Sequence, residues 1–230
     1  MLSKLTYKQK CDLYNFLCGF ATDERKQRFE EIAGKRTRFA TVVLEDIFQP
    51  HNASAVLRTC DCFGVQDVHI IENKNEYHIN PDVALGSSNW LTLHNYNDKA
   101  HNTLDCIKNL KEQGYSIAAT TLHKKSISLE EIDMSIKTAF LFGTEKNGLS
   151  EIAIEQADYC LKIPMHGFTE SFNISVSAAI ILHTATEKLR KSGIPWQLSN
   201  DELIDLKIAW VKKSVRESEL LEKQYLQQIL

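Results

Sequence analysis

The sequence predicts an α/β fold in which a mostly parallel β-sheet is flanked by helices. Its 230 residues, of which 43% are hydrophobic and 25% charged, are typical of a globular, enzyme-sized protein. Short runs rich in apolar and β-branched residues recur along the chain, and helical patterns lie between most of them. Strands that alternate with helices favour a parallel sheet covered on both faces.

The elements are predicted from these patterns in chain order. Strands are expected at residues 41–47, 68–72, 90–96, 116–120, 138–143 and 159–164. Helices are expected at residues 53–63, 98–113, 150–157 and 174–191. We predict a basic helical region at 1–38, a central domain at 39–193 and amphipathic helices at 194–230.

Several helix ends carry residues that satisfy unpaired backbone groups. Asn52 and Ser150 stand where N-caps are expected, since their side-chain oxygens can accept from backbone amides of the first turn. Gly64 and Gly193 stand where helices are expected to stop.

The composition also argues against several classes of protein. No run approaches the roughly 18 apolar residues of a membrane span, and no signal-peptide core follows Met1, so we expect a cytoplasmic location. The six cysteines form no C-x-x-C pair, so neither a disulfide framework nor a metal site is expected.

The charge is unevenly distributed. The net charge of −3 argues against nucleic-acid binding over the whole surface. From Lys4 to Arg38, however, nine basic residues stand against five acidic ones, which suggests a phosphate-facing element or a solvated helical surface.

Three loops at predicted carboxyl ends of strands, where parallel sheets bind ligands, carry unusual polar residues. The first runs from Gln49 into a helix that carries Arg58, whose side chain leans back toward the loop. The second contains Gly143, Glu145 and Gly148 but lacks the Gly-Lys-Ser/Thr of a P-loop. The third, at 163–177, leads through Ser and Asn into an apolar helix. Each loop alone is also explained by ordinary turns and helix caps.

Together and in this order, the three segments resemble the three motifs of the SpoU-type RNA 2′-O-methyltransferases, a branch of the trefoil-knotted methyltransferases. The similarity covers residues 25–191 and includes HN…RTCD at 51–61, FGTEKNG at 142–148, and IPM…SFNISV at 163–176. Within the family the chain is most similar to the TrmH branch, which acts on guanosine 18 of the tRNA D-loop. Phe172 replaces the usual Leu and Ser177 the common Ala.

The resemblance implies a C-terminal trefoil knot, S-adenosyl-L-methionine as cofactor, a tRNA substrate and a homodimer. The catalytic residues it implies are Asn52, Arg58, Glu145, Ser171 and Asn173. The cofactor-binding residues it implies are Thr120, Gly143, Ile163, Met165 and Phe172. The predicted RNA-binding residues are Arg25, Arg28, Arg36, Arg38 and His51.

In the family, the residue at the position of Arg58 has been assigned as the base. A guanidinium almost never loses its proton, so stabilising the developing alkoxide and clamping a phosphate is the less costly role. Two alternatives stay open: the same reaction on ribosomal RNA, and a non-catalytic RNA-binding protein of the same fold. A dehydrogenase is disfavoured because no G-x-G-x-x-G follows a strand.

Overall fold

The computed structural model describes residues 2–121 and 126–229, so Met1 and Leu230 of the predicted terminal regions lie outside the described residues. The chain forms two compact units. One comprises the chain up to Arg36 and from Gln197 onward, and the other is Thr37–Trp196.

Helices and strands follow one another in the predicted α/β order. The helices are α1 (Tyr7–Cys18), α2 (Asp23–Ala33), α3 (Pro50–Phe63), α4 (Pro81–Ala84), α5 (Thr103–Glu112), α6 (Glu151–Gln156), α7 (Ile174–Lys191), α8 (Asn200–Ser214) and α9 (Ser218–Ile229). The strands are β1 (Ala40–Glu45), β2 (Asp67–Ile71), β3 (Thr92–Tyr96), β4 (Ser116–Thr120), β5 (Ser126–Ser128), β6 (Thr138–Phe142) and β7 (Tyr159–Lys162).

All seven strands join one parallel sheet in the order β3-β2-β1-β6-β4-β7-β5. Val42 of β1 is in register with Val68 of β2 and Phe140 of β6. Every residue of β1 is buried, as expected for a parallel strand covered on both faces. The predicted α/β class with a parallel sheet is therefore confirmed, and the implied trefoil knot stays a prediction.

Alternate residues of β1 enter two separate apolar cores, because successive strand side chains point to opposite faces. Val42 and Leu44 pack in a core that includes residues of α3 and α7. Val43 packs in the second core with residues of α5 and α6. Because β1 is packed on both faces, the position of its carboxyl end in the sheet is fixed, and so is the start of the loop that follows it.

The first strand is shorter than its apolar pattern predicts. Asp46 has a φ of 53°, so the chain leaves the extended region directly after Glu45. This left-handed conformation is uncommon for a residue other than glycine, but aspartate tolerates it better than most. The expected continuation of the strand to Ile47 is wrong for this reason.

In the terminal unit, α8 packs against α1 and α2, an arrangement that the sequence analysis did not foresee. Arg36 is only 2% exposed, and its guanidinium lies 5.3 Å from the centre of the Trp210 ring. The prediction that Arg36 contacts RNA is therefore wrong, since a side chain packed on an aromatic ring inside the unit cannot reach a phosphate.

A histidine pair lies on β2 and β3, where His69 stacks on His94 with ring centres 4.5 Å apart. Burial and the neighbouring charge of His94 lower the pKa of His69 to about 4, although Asp67 acts in the opposite direction. Burial would raise the pKa of Asp67, but the hydrogen bond from His94 and the charge of Arg38 lower it.

This pair predicts that the protein loses stability in mild acid. An unfolded chain protonates His69 near pH 6.5, whereas the folded protein resists protonation down to about pH 4, so acid favours unfolding across that window. Between pH 7 and 4.5 we expect His69 to account for about 2 kcal/mol of the lost free energy of unfolding. Urea unfolding of the wild type and of His69→Gln checks this, and equal pH dependence in both would contradict it.

Candidate active site

A cavity of about 430 Å³ opens at the carboxyl ends of β4, β6 and β7. All five residues predicted to bind the cofactor are among its lining residues: Thr120, Gly143, Ile163, Met165 and Phe172. They come from three different loops and strand ends, so only the parallel arrangement of the sheet brings them together. Two predicted catalytic residues, Glu145 and Ser171, also line this cavity.

The floor of the cavity depends on a close backbone approach at Gly143. A Cβ atom there would lie 2.2 Å from both the carbonyl carbon and the carbonyl oxygen of Gly148. Thr144 and Gly148 exchange two backbone hydrogen bonds of 2.9 Å, which closes a tight loop, and Gly148 has a φ of 69°. Glycine is therefore required at Gly143 by packing and at Gly148 by conformation.

Beside the cavity, three of the predicted catalytic residues form a hydrogen-bonded triangle. Oε1 of Glu145 accepts from Nδ2 of Asn52 at 2.5 Å and from Nδ2 of Asn173 at 2.9 Å. Asn173 Nδ2 also donates to Oδ1 of Asn52 at 3.0 Å. The three side chains come from α3, the loop after β6 and the start of α7, so the triangle joins the ends of three motifs.

The two asparagines have few hydrogen-bonding groups left for a ligand. Asn52 Nδ2 also donates to Oε1 of Gln49, and Asn173 Oδ1 accepts from the backbone amide and hydroxyl of Ser175. Because these partners fix both amide orientations, the asparagines hold Glu145 in place. Within the described residues, Oε2 of Glu145 has no hydrogen-bond partner.

Local sequence explains how the two asparagines reach this point. Asn173 is the N-cap of α7, and its side chain accepts from the backbone amide of Ser175. Asn52 is the third residue of α3, since Pro50 begins that helix and Gln49 is its N-cap without a side-chain bond. The prediction of Asn52 as a cap is wrong, and its side chain, 3% exposed, turns toward Glu145 instead.

A second cavity, of about 340 Å³, borders the same loop. It shares Thr144, Glu145, Lys146, Asn147 and Ile174 with the first cavity. Its other lining residues are Ile47, Phe48, Gln49, Asn52 and Asn75. Glu145 therefore stands on the wall between two neighbouring cavities.

The structure does not bring Arg58 into either cavity. Arg58 is exposed on α3, and no hydrogen bond or ion pair joins it to another residue of the described ranges. His51 is likewise exposed at the start of the same helix. Both side chains are accessible to a large ligand.

The remaining predicted RNA-binding arginines differ in exposure. Arg25 and Arg28 are exposed on α2, where Arg28 pairs with Glu31 at 3.3 Å. Arg38 is only 27% exposed at its side chain, and its Nε donates to Asp67 at 2.9 Å. Arg38 thus anchors the start of β1 to that of β2, and a main role in phosphate binding does not fit it.

Sequence reasoning missed Phe48, Asp46 and Asn75. The carboxylate of Asp46 accepts from the backbone amides of Asn73, Lys74 and Asn75. Its backbone oxygen accepts from Nδ2 of Asn75 at 2.8 Å. The signal that could have identified Asp46 is its place as a polar residue directly after a buried strand. The apolar Ile47 that follows it led to the prediction that the strand continues past Asp46.

No group of His, Cys, Asp and Glu suited to a metal ion occurs in the part of the chain that the structure describes. Among the same residues, no helix is long and apolar enough to cross a membrane.

A parallel α/β sheet with a ligand-sized cavity at the carboxyl ends of its central strands defines an α/β ligand-binding domain. The profile of the SpoU rRNA Methylase family matches residues 40–183, which contain the sheet and all three loops of the site. The chain belongs to the SpoU methylase family.

Individual relatives agree with this membership. The chain is 46% identical over 206 residues to a tRNA (guanosine(18)-2′-O)-methyltransferase of Borreliella burgdorferi, covering 90% of this chain and 93% of the relative. It is 39% identical over 174 residues to the enzyme of that name in Thermus thermophilus, covering 75% and 87%. The crystal structure of the A. aeolicus TrmH/SpoU tRNA modifying enzyme superposes with a TM-score of 0.76 at 30% identity, covering 85% of this chain and 98% of that one.

Proposed function

We propose that this protein transfers a methyl group from S-adenosyl-L-methionine to the ribose 2′-hydroxyl of guanosine 18 in the tRNA D-loop. The observation that carries the proposal is the position of Glu145, held by Asn52 and Asn173 on the wall between two cavities. Membership of the SpoU family and the names of the relatives support the reaction and the substrate. This function requires a cytoplasmic location, where the protein meets its tRNA substrate.

The first cavity suits S-adenosylmethionine in size and chemistry. Its volume lies within the range of about 300–1000 Å³ typical of ligand sites. Phe142, Leu161 and Ile181 give it apolar walls, and the tight turn at Gly143 exposes backbone at its floor. These features fit an adenosine held by backbone groups, and when bound the cofactor supplies an electrophilic methyl on a sulfonium.

Methyl transfer forms a carbon–oxygen bond as the carbon–sulfur bond breaks, and the hydroxyl must lose its proton. Most of the rate enhancement in such a displacement comes from holding oxygen and methyl carbon in line. Oε2 of Glu145 accepts a hydrogen bond from the 2′-hydroxyl, which orients the oxygen, and the proton leaves to solvent. Ser171, on the wall of the first cavity, assists in positioning the cofactor.

Arg58 clamps a phosphate of the bound RNA through both arms of its guanidinium. Replacing Arg58 by lysine keeps the charge but removes the paired hydrogen bonds, so we expect kcat/KM for tRNA to fall at least about tenfold. Arg216→Lys, at another exposed arginine, is the matched control. Near-full turnover by Arg58→Lys would contradict the clamp.

Arg25, Arg28 and His51 contribute further phosphate contacts from exposed positions.

A homodimer completes the proposal. Apolar side chains before α7 and in its first turn support it, since Phe168 is fully exposed and Phe172 and Val176 are each more than 40% exposed. Such apolar groups favour burial against a second surface, and a monomer mass in sedimentation equilibrium would contradict the dimer.

Incubation with labelled S-adenosylmethionine tests the function. Unmodified tRNA transcript and ribosomal RNA fragments are offered separately, and any labelled ribose is located by its resistance to alkaline cleavage. Label at guanosine 18 is the expected result. Label only in ribosomal RNA would overturn the substrate, and absence of label from both would favour a non-catalytic RNA-binding protein.

A further inference from the structure

We propose that the second cavity receives the base of the target guanosine after it has turned out of the tRNA stack. Phe48 is its stacking surface, and Gln49 and Asn75 are its hydrogen-bonding residues. The inference rests on the proposed function, because it names how that site recognises its nucleoside.

The position of the cavity is the first support. The attacking oxygen and the methyl carbon must approach to about 3 Å, so a substrate cavity has to adjoin the cofactor cavity. The second cavity does so along residues 144–147 and Ile174. A ribose bound beside Glu145 then places its base in the second cavity, on the side of Glu145 away from the cofactor.

The exposed ring of Phe48 is the second support. Its side chain is 74% exposed at a position that lines the cavity, whereas Ile47 next to it is buried. Proteins commonly bind unstacked RNA bases on aromatic side chains. An exposed aromatic ring beside a nucleoside-sized cavity fits that use.

The free polar atoms complement guanine. Nδ2 of Asn75 is used by the backbone oxygen of Asp46, which leaves Oδ1 as an acceptor without a partner in residues 2–121 and 126–229. Oε1 of Gln49 is used by Asn52, which leaves Nε2 as a donor, likewise without a partner there. Guanine presents two donors, at N1 and N2, beside the acceptor O6. Adenine presents a donor and an acceptor in the reverse order.

Asp46 acts as a positioning residue for Asn75. Its left-handed backbone costs about 1 kcal/mol and recurs where the surrounding structure holds it. Its carboxylate accepts from the backbone amides of residues 73–75, and its backbone carbonyl accepts from the side-chain amide of Asn75. The strained turn after β1 therefore sets the orientation of the acceptor.

Base discrimination tests the proposal. Transcripts carrying guanosine, inosine or adenosine at position 18 are methylated by the wild type, by Asn75→Ala and by the control Asn109→Ala, whose side chain bonds Tyr96 on another part of the sheet. We expect Asn75→Ala to lose about tenfold in kcat/KM with guanosine, to lose less with inosine and to discriminate less against adenosine. Asn109→Ala should keep the wild-type pattern.

Stacking on Phe48 is tested by fluorescence and by turnover. The fluorescence of 2-aminopurine at position 18 reports unstacking when the protein binds with S-adenosylhomocysteine present. Phe48→Ala should abolish the fluorescence change and lower kcat/KM about 10- to 100-fold, whereas Phe48→Trp should retain activity.

The outcomes separate the two proposals. Wild-type methylation of guanosine 18 together with unchanged discrimination in Asn75→Ala, or unchanged fluorescence and activity in Phe48→Ala, would overturn the base pocket and leave the proposed function standing. Absence of methylation by the wild type would overturn both.

Discussion

Replacing Gly143 by alanine is expected to weaken S-adenosylmethionine binding by about 100-fold, as measured by calorimetry. The new methyl group would lie 2.2 Å from backbone atoms of Gly148, and backbone cannot move aside as a flexible side chain can. Relief of this overlap displaces backbone that lines the cavity, and a loss of about 2.8 kcal/mol of binding free energy corresponds to about 100-fold in affinity. Displacing residues 144–148 also moves Glu145 away from its two amide donors.

Gly114→Ala is the matched control for this prediction. Gly114 has a φ of 82°, so alanine there is strained, but among the described residues beyond its two chain neighbours no atom lies within 4 Å of the added carbon. We expect Gly114→Ala to lose about 1 kcal/mol of stability and to bind the cofactor normally. Normal cofactor binding by Gly143→Ala would show that the loop does not form the floor of the cofactor site.

Replacing Asn52 by aspartate is expected to lower kcat about 100-fold while the sheet stays folded. The substitution is nearly isosteric, but it sets a second carboxylate where an amide now donates to Glu145 at 2.5 Å. Two carboxylates at that distance cannot both be ionised, so the pair takes up a proton or separates. Misplacing a catalytic group by about 1 Å can cost about 100-fold in rate.

The pH profile distinguishes this effect from general damage. The wild-type amide donates to Glu145 at every pH, whereas in Asn52→Asp a donor is restored only when the two carboxylates share a proton. The deficit of the variant should therefore shrink as the pH falls. Asn109→Asp makes the same chemical change at an exposed asparagine and should leave the rate unchanged. A constant deficit at every pH would contradict the role given to Asn52.

The sequence predicts the framework closely where periodicity and packing agree. The strand at 116–120 and the helix at 174–191 are β4 and α7 with the same bounds. The glycine-containing loop after β6 was also visible in the sequence, but the packing of Gly143 against the backbone of Gly148 was not. By contrast, β5 has only three residues and α4 only four, too few for a period to appear.

Side-chain partners were harder to predict than elements. Pro50 starts α3 earlier than expected, which changes Asn52 from a cap into a partner of Glu145. A local excess of basic residues identifies a charged region but not which arginine faces inward, so Arg36 was assigned to RNA when it packs on Trp210. The first error is local, because the helix starts at Pro50 and not after Asn52. The second concerns a contact between residues distant in sequence, which local patterns do not encode.

Methyl transfer to a tRNA transcript with a single 2′-deoxyguanosine at position 18 tests the proposed reaction most directly. The full-length protein and labelled S-adenosylmethionine are used, with the all-ribose transcript in parallel and tRNA binding measured for both. We expect both transcripts to bind, the all-ribose transcript to be labelled at guanosine 18 and the deoxy transcript to receive no label. Equal labelling of the two transcripts would contradict transfer to that 2′-hydroxyl.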